Sequence, residues 1–272
     1  MADLGDEEAL AELEAIRDWA REHLQDIASE EAMAIHEGSL LAEDLTLHGA
    51  DGYVVSVCKA MTSTSLDQLG SATSLIVDTL QVSSGGTATM VRGAIESASM
   101  ALWVLFGKDG RERRERALRV RYDSARNAIN FLAKRKGMVD SGGLKGLEDE
   151  FKSEQENLLA SAAKLQLKPQ TVKAKPVRTD IVQVVDRIRQ NDYLAMWQLC
   201  SGYAHGYSWA PRLYNQPTAR VDLGPGSGLH AGHMSFDNAL TMVRKGRDAV
   251  QDALAVFDAV RLPARTVPPP PR

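Results

Sequence analysis

The segment Met90–Phe106, MVRGAIESASMALWVLF, constrains the fold more than any other stretch of the chain. It is apolar or small on nearly every side at helical periodicity, with Arg92, Glu96, Ser99 and Trp103 confined to about 60° of arc at 100° per residue. A helix greasy almost all round must be surrounded by other elements, so it belongs in the middle of a bundle. The rest of the chain supplies the neighbours. Leu10, Leu13, Ile16, Ala20, Leu24 and Ile27 form one stripe of a helix expected over Asp6–Ala34. Further helices are expected over Asp51–Val82 (with a break near Gly70), Thr87–Phe106, Arg111–Lys136 and Leu144–Gln166, then from Thr179 or Asp180 to Arg189, Tyr193–Ala204 and Phe236–Val260. Turns are read at Ser83–Gly86 and Ser141–Gly143, and a linker at Lys168–Arg178 around Pro169 and Pro176. Strand signals are scarce. The expectation is one all-α domain, a single helical bundle of seven or eight helices over 1–262. An irregular Gly/Pro-rich loop interrupts it at about 211–232, and an extended Pro-rich tail follows at 263–272.

Composition narrows the function classes. With 272 residues, 44% of them hydrophobic, a sizeable core is affordable, and disordered, collagenous or disulfide-built classes are excluded. A net charge of −4 gives no global pull toward nucleic acid or anionic lipid. No apolar run is long enough for a bilayer, the N-terminus lacks the pattern of a signal peptide, and two cysteines make no framework. The expectation is a soluble cytoplasmic protein.

The charge is nevertheless segregated. Residues 1–50 carry fourteen acidic side chains against Arg17 and Arg21, while Lys108–Lys136 carries eleven basic against four acidic. The basic helix either pairs within the fold, presents a solvated face, or offers RNA a phosphate-binding surface through Arg116 and Arg119.

Two polar constellations stand out. Arg92 and Glu96 are one turn apart on the central helix and are expected to pair in a dry place. Tyr193, Trp197, Ser201 and His205 recur at four-residue steps and form a slanted stripe on a second helix. Joined to Glu96, Ser201 and His205 would make a hydroxyl, imidazole and carboxylate set of the acyl-transfer kind, although no nucleophile-elbow sequence surrounds Ser201. His230-x2-His233 with His205 offers a weak metal reading, and GPGSG at 224–228 lacks the lysine and preceding strand of a phosphate loop. No cofactor is implied. Arg92, Glu96, Ser201 and His205 are the candidate catalytic residues; Tyr193, Trp197, Arg116 and Arg119 are the candidate binding residues. The last helix carries an apolar face (Leu240, Val243, Val250, Leu254 and Phe257) that suits core packing first and a homodimer second.

The order VRGAIESASMALWVLF, RERRERALRVRYDSARN and MWQLCSGYAHGYSWAP, over roughly 85–210, resembles a group of all-helical proteins of actinobacteria and their phages. More distantly it is similar to HEPN-type helical domains, many of which are ribonucleases of toxin and phage-defence systems. That likeness implies an Arg followed by four to six residues and a His. Only Arg17-x5-His23 fits the spacing here, and it lies in the first helix rather than late in the domain. Two functions follow as expectations: a helical binding protein for a small ligand or a protein partner, with its polar site in the bundle, or a HEPN-like ribonuclease or toxin of phage–host conflict.

Overall fold

The computed structural model describes residues 5–29, 31, 34–48, 52–135, 141–224 and 227–263. Eleven helices and one hairpin account for these residues: α1 (Asp6–Ala28), α2 (Leu40–His48), α3 (Tyr53–Thr79), α4 (Ser84–Leu105), α5 (Gly110–Arg135), α6 (Ser141–Lys164), α7 (Pro169–Lys173), α8 (Arg178–Arg189), α9 (Tyr193–Ala204), α10 (Trp209–Tyr214), β1 (Gln216–Gly224), β2 (Ser227–His233) and α11 (Phe236–Arg261). The all-α class holds, and no helix among the described residues is long and apolar enough to cross a membrane.

Several boundaries differ from the sequence expectation for identifiable reasons. α1 stops at Ala28, where Ser29 turns extended. α3 runs unbroken through Gly70, which faces Ala20 of α1 where even an added methyl group would make only an ordinary van der Waals contact. The hydroxyls of Thr73 and Ser74 bond back to the Gly70 carbonyl inside the helix. α4 begins at Ser84, so the expected Ser83–Gly86 turn is mostly its first turn, and Thr87 stands inside the helix. The nine-residue α2 was not expected; Ser39 caps it, its Oγ accepting from the Ala42 amide at 3.2 Å. The linker read at Lys168–Arg178 contains the single-turn α7, started by Pro169, whose fixed φ suits a first helical position. The loop read at 211–232 is mainly an antiparallel hairpin, with Arg220 opposite His230 and Val221 opposite Leu229. Its strands are poor in β-branched residues and carry Pro217 and several glycines, which is why period-two alternation did not reveal it. The tail read at 263–272 lies, beyond Pro263, outside the described residues.

The chain divides into two compact units. The first comprises Met1–Met33, Ala60–Ala101 and Arg178–Ala255. In it α1 buries Leu13, Ile16 and Ile27, each contributing about 1.5–3 kcal/mol by leaving water. Across from it Glu12 accepts a forked pair of bonds from Arg244 of α11, and Gly246 of α11 brings that helix onto Leu69 of α3 and Val91 of α4. On the apolar face of α11, Leu240, Val243 and Val250 are fully buried and Leu254 is half-buried, as core packing requires; Phe257, which falls in the second unit, is nearly fully buried.

The second unit comprises Ala34–Lys59, Leu102–Val177 and Val256–Arg272. α5 packs on α6 and α7 around Leu118, Leu158, Ala162, Leu165 and Val172. Its arginines are spent on this unit. Arg113 grips Asp44 through two bonds of 2.7 and 2.9 Å and donates to the Gly107 carbonyl. Gly110 makes room there, because an added side chain would run into the Asp44 carboxylate that Arg113 holds in place. Arg111 donates to the carbonyls of Leu165 and Gln166 at the end of α6, and Arg126 and Arg119 to those of Lys173 and Ala174 at the end of α7. Arg121 binds Glu154.

Candidate functional site

The polar cluster of the first unit is built from three helices. α4 presents Arg92 and Glu96 one turn apart, α9 contributes Trp197, and the first residue of α8, Arg178, completes it. Glu96 Oε2 accepts from Arg92 Nη2 at 3.4 Å and from the Trp197 indole Nε1 at 3.3 Å. Arg178 Nε stands 3.4 Å from Glu96 Oε1, and its Nη1 lies 3.4 Å from the Met100 sulfur. The Arg92 guanidinium is stacked over the Trp197 ring, 5.3 Å from the centroid, a geometry in which the ring's electron-rich face attracts the cation. The expected Arg92–Glu96 pair therefore exists, but it is not dry: the side chains retain 29% and 24% of their exposure. Cys200, buried behind the cluster, has its thiol pushed up to about 12 by desolvation, with Arg92 pulling the other way. It is an inert packing thiol.

Two polar atoms here have no partner. Arg92 Nε is buried without a hydrogen bond, and so is Ser99 Oγ, two turns along the same face of α4 and wholly inaccessible. Most buried polar groups in folded proteins are paired, so each exception calls for a reason.

The other expected residues are not gathered here. Ser201 donates its hydroxyl to the Trp197 carbonyl at 2.8 Å. His205 is exposed and leans against the Tyr207 ring, centroids 5.8 Å apart. Among the described residues no bond joins its imidazole to Ser201, Arg92 or Glu96, so the acyl-transfer set is not assembled. The cause is the end of α9. Gly206, at φ +68°, turns the chain left-handed, the Tyr207 amide bonds back to the Gly202 carbonyl at 2.8 Å, and the Gly206 amide to Tyr203 at 3.0 Å. This is a Schellman stop. His205 is its cap residue, no longer helical, and its side chain leaves the stripe that the four-residue spacing implied.

Tyr193 is fully buried, and its hydroxyl donates to Asp252 at 2.6 Å and accepts from Asn191. Burial pushes its pKa far up, and Asp252 adds to the shift. Asp252 also binds Arg189, closing the α8–α9 elbow onto α11. Arg116 and Arg119 belong to the second unit, both over the Trp103 ring at 5.1 and 5.2 Å. Burial holds the Arg119 guanidinium below its usual pKa. Of the Arg17–His23 spacing, Arg17 is tied to Asp18 and Asp78, and His23 Nδ1 lies on the Trp19 carbonyl at 2.9 Å. His233 is exposed at the end of β2, and the side chain of His230 lies outside the described residues. No group of three metal-ligating side chains occurs among the described residues.

Sequence reasoning missed Arg178, because only the fold brings the start of α8 to Glu96. It also missed an open groove of about 550 Å³ between α1, α3 and α4, lined by Arg21, Leu24, Leu66, Gly70, Ser74 and Met90 among others. Small residues (Ala20, Gly70, Ser71 and Ser74) floor it; that is the one signal the sequence carried. Comparisons of the chain with protein-family models, with curated proteins and with solved structures found no match.

Proposed function

We propose that this chain is a helical binding protein and that the cluster of Arg92, Glu96, Arg178 and Trp197 is where it meets its ligand. The observation that supports this most is the looseness of the cluster. Charge-assisted bonds ordinarily close to about 2.7–2.9 Å. Those around Glu96 stay at 3.3–3.4 Å, while an arginine nitrogen beside them has no partner. A partly buried ion pair contributes little to stability, since desolvation opposes the attraction. Charges kept on an otherwise apolar helix, imperfectly paired and reachable from solvent, suit recognition better than packing. The two free, buried cysteines fit a reducing compartment, and we place the protein in the cytoplasm.

A ribonuclease has less behind it. Its general base would be His205 or His23, and neither faces an unengaged arginine; the guanidiniums of α5 that would meet an RNA backbone are largely committed to carboxylates, carbonyls and the Trp103 ring.

The test is a double replacement, Arg92→Leu with Glu96→Leu, read by chemical denaturation and by thermal shift across a panel of anionic, neutral and cationic metabolites. A binding site keeps stability within about 1 kcal/mol and loses whatever metabolite response the native chain shows. A stability loss well beyond that figure, or an unchanged metabolite response, would make the cluster structural. Incubation with labelled single-stranded RNA should leave the RNA intact; cleavage abolished by His205→Ala would favour the nuclease.

A further inference from the structure

Arg92 is fixed in place without being well paired. Its flat face rests on Trp197, its one carboxylate partner is 3.4 Å away, and that carboxylate is shared with Arg178 and the indole N–H. Arg113, by contrast, closes on Asp44 with forked bonds of ordinary length, whereas Arg247 reaches Glu12 and Asp248 only at 3.5 and 3.2 Å. The guanidinium of Arg92 carries five N–H donors and makes a single long bond with them. Its neck atom Nε is buried and unpartnered, while 29% of the side chain remains open to solvent.

We propose that this cluster binds a singly charged carboxylate, taken by the open edge of the Arg92 guanidinium while Trp197 holds that guanidinium flat and Glu96 stands as its internal competitor. The inference rests on the binding reading above and gives it a ligand class. A planar guanidinium presents parallel N–H pairs at the spacing of two carboxylate oxygens, which lysine cannot imitate. The choice of one negative charge follows from Glu96. Its charge lies against the same donors, so a dianion such as phosphate would meet repulsion that a carboxylate meets only in part.

The probe is sodium acetate, exchanged for sodium chloride at constant ionic strength and followed by ¹H–¹⁵N spectra of the whole chain. The Trp197 indole resonance is identified among the four by Trp197→Phe. Expected are a saturable shift of the Trp197 indole and the Arg92 Nε–H, with a dissociation constant on the order of 1–10 mM for so small a ligand, and three unmoved indoles. Sodium phosphate and sodium sulfate serve as parallel arms and should bind roughly tenfold more weakly, given the repulsion from Glu96. Arg92→Lys should abolish the acetate response. Glu96→Gln should tighten acetate several-fold by removing the competing charge, a gain that a purely structural carboxylate would not give. The proposal fails if no saturation is reached, if Arg92→Lys binds acetate as well as the native chain, or if Glu96→Gln leaves affinity unchanged or lowers it. It fails equally if phosphate and sulfate match acetate, which would mean an adventitious ion only. Should Arg92→Lys not fold, Glu96→Gln decides by its sign. Failure of acetate alongside a retained, Arg92-dependent metabolite response would sink the ligand class and leave the binding reading standing.

Discussion

α5 and the α4–α8–α9 cluster both place arginines against an aromatic ring and a carboxylate, yet they use them in opposite ways. On α5 three guanidiniums reach several fixed acceptors each, while Arg119 has one carbonyl at 3.4 Å and the Trp103 ring. Arg113 has Asp44 and a carbonyl, Arg111 two carbonyls, and Arg126 a carboxylate and a carbonyl. Arg92 has a ring and one shared, distant carboxylate. A run of positive charge in sequence therefore says little about a binding surface until its acceptors are known. The arginine we propose as the ligand's partner, Arg92, lies on a largely apolar helix away from the RERRER segment.

The largest expected effect tests the tight side of this contrast. Asp44→Ala strands the Arg113 guanidinium, which is 7% exposed, and should cost about 3–5 kcal/mol in urea unfolding. A loss no larger than that of Glu96→Ala would erase the distinction between the two regions.

Asp252→Ala asks whether tightness depends on the local network rather than on the unit. It leaves the buried Tyr193 hydroxyl without its acceptor and should cost about 1–3 kcal/mol. Tyr193→Phe, which removes both ends of that bond, should cost less, and the reverse order would refute the account of this node.

On the loose side, Arg92→Lys keeps the charge and gives up the fork and most of the stack. Its effect on stability should stay under about 1 kcal/mol, measured by the same unfolding curves. A loss comparable to Asp44→Ala would show Arg92 to be structural.

The smallest effect is one of pH. The forked hydrogen bonds from Arg244 hold the Glu12 carboxyl below its usual range. A lowered native pKa means the pair stabilises above the carboxyl's unfolded pKa and is lost as pH falls through the native one. Glu12→Gln should therefore flatten the acid limb of stability by about 0.5 kcal/mol, since the pair is partly solvated. An unchanged acid limb would remove this contribution.

Much of the helical order was legible before any coordinates. The stripe of α1 and the residues of α9, Tyr193–Ala204, follow from periodicity alone, because helical periodicity is local. The Arg92–Glu96 pair was legible for the same reason, and so was Trp197 as a polar member of an apolar helix. What was not legible was the direction a side chain takes at a stop, and any distant partner. His205 shares the four-residue spacing of its stripe, but Gly206 ends the helix one residue earlier than the pattern needs, and that glycine was in plain view. Tyr193 has an aromatic polar side chain of the kind that binds ligands; Asp252, fifty-nine residues on, turns it inward. Arg178 and Asp44 carry no local mark of their roles at all.

The arginines of α5 that close the ends of α6 and α7 bear on the order of events in folding. Gln166 sits at φ +55°, left-handed without being glycine, and the Leu167 amide bonds back to the Ala162 carbonyl at 3.0 Å. Such a terminus is strained for a side-chain-bearing residue, and Arg111 donates to its carbonyls from α5. The last turn of α6 should thus have little permanence until α5 is in place. In native-state hydrogen exchange the amides of Ala162–Gln166 should open together with the first turns of α5, as one cooperative foldon rather than as a fraying helix end. Arg111→Ala would release them, converting a sub-global opening into a local one while the remainder of α6 keeps its protection.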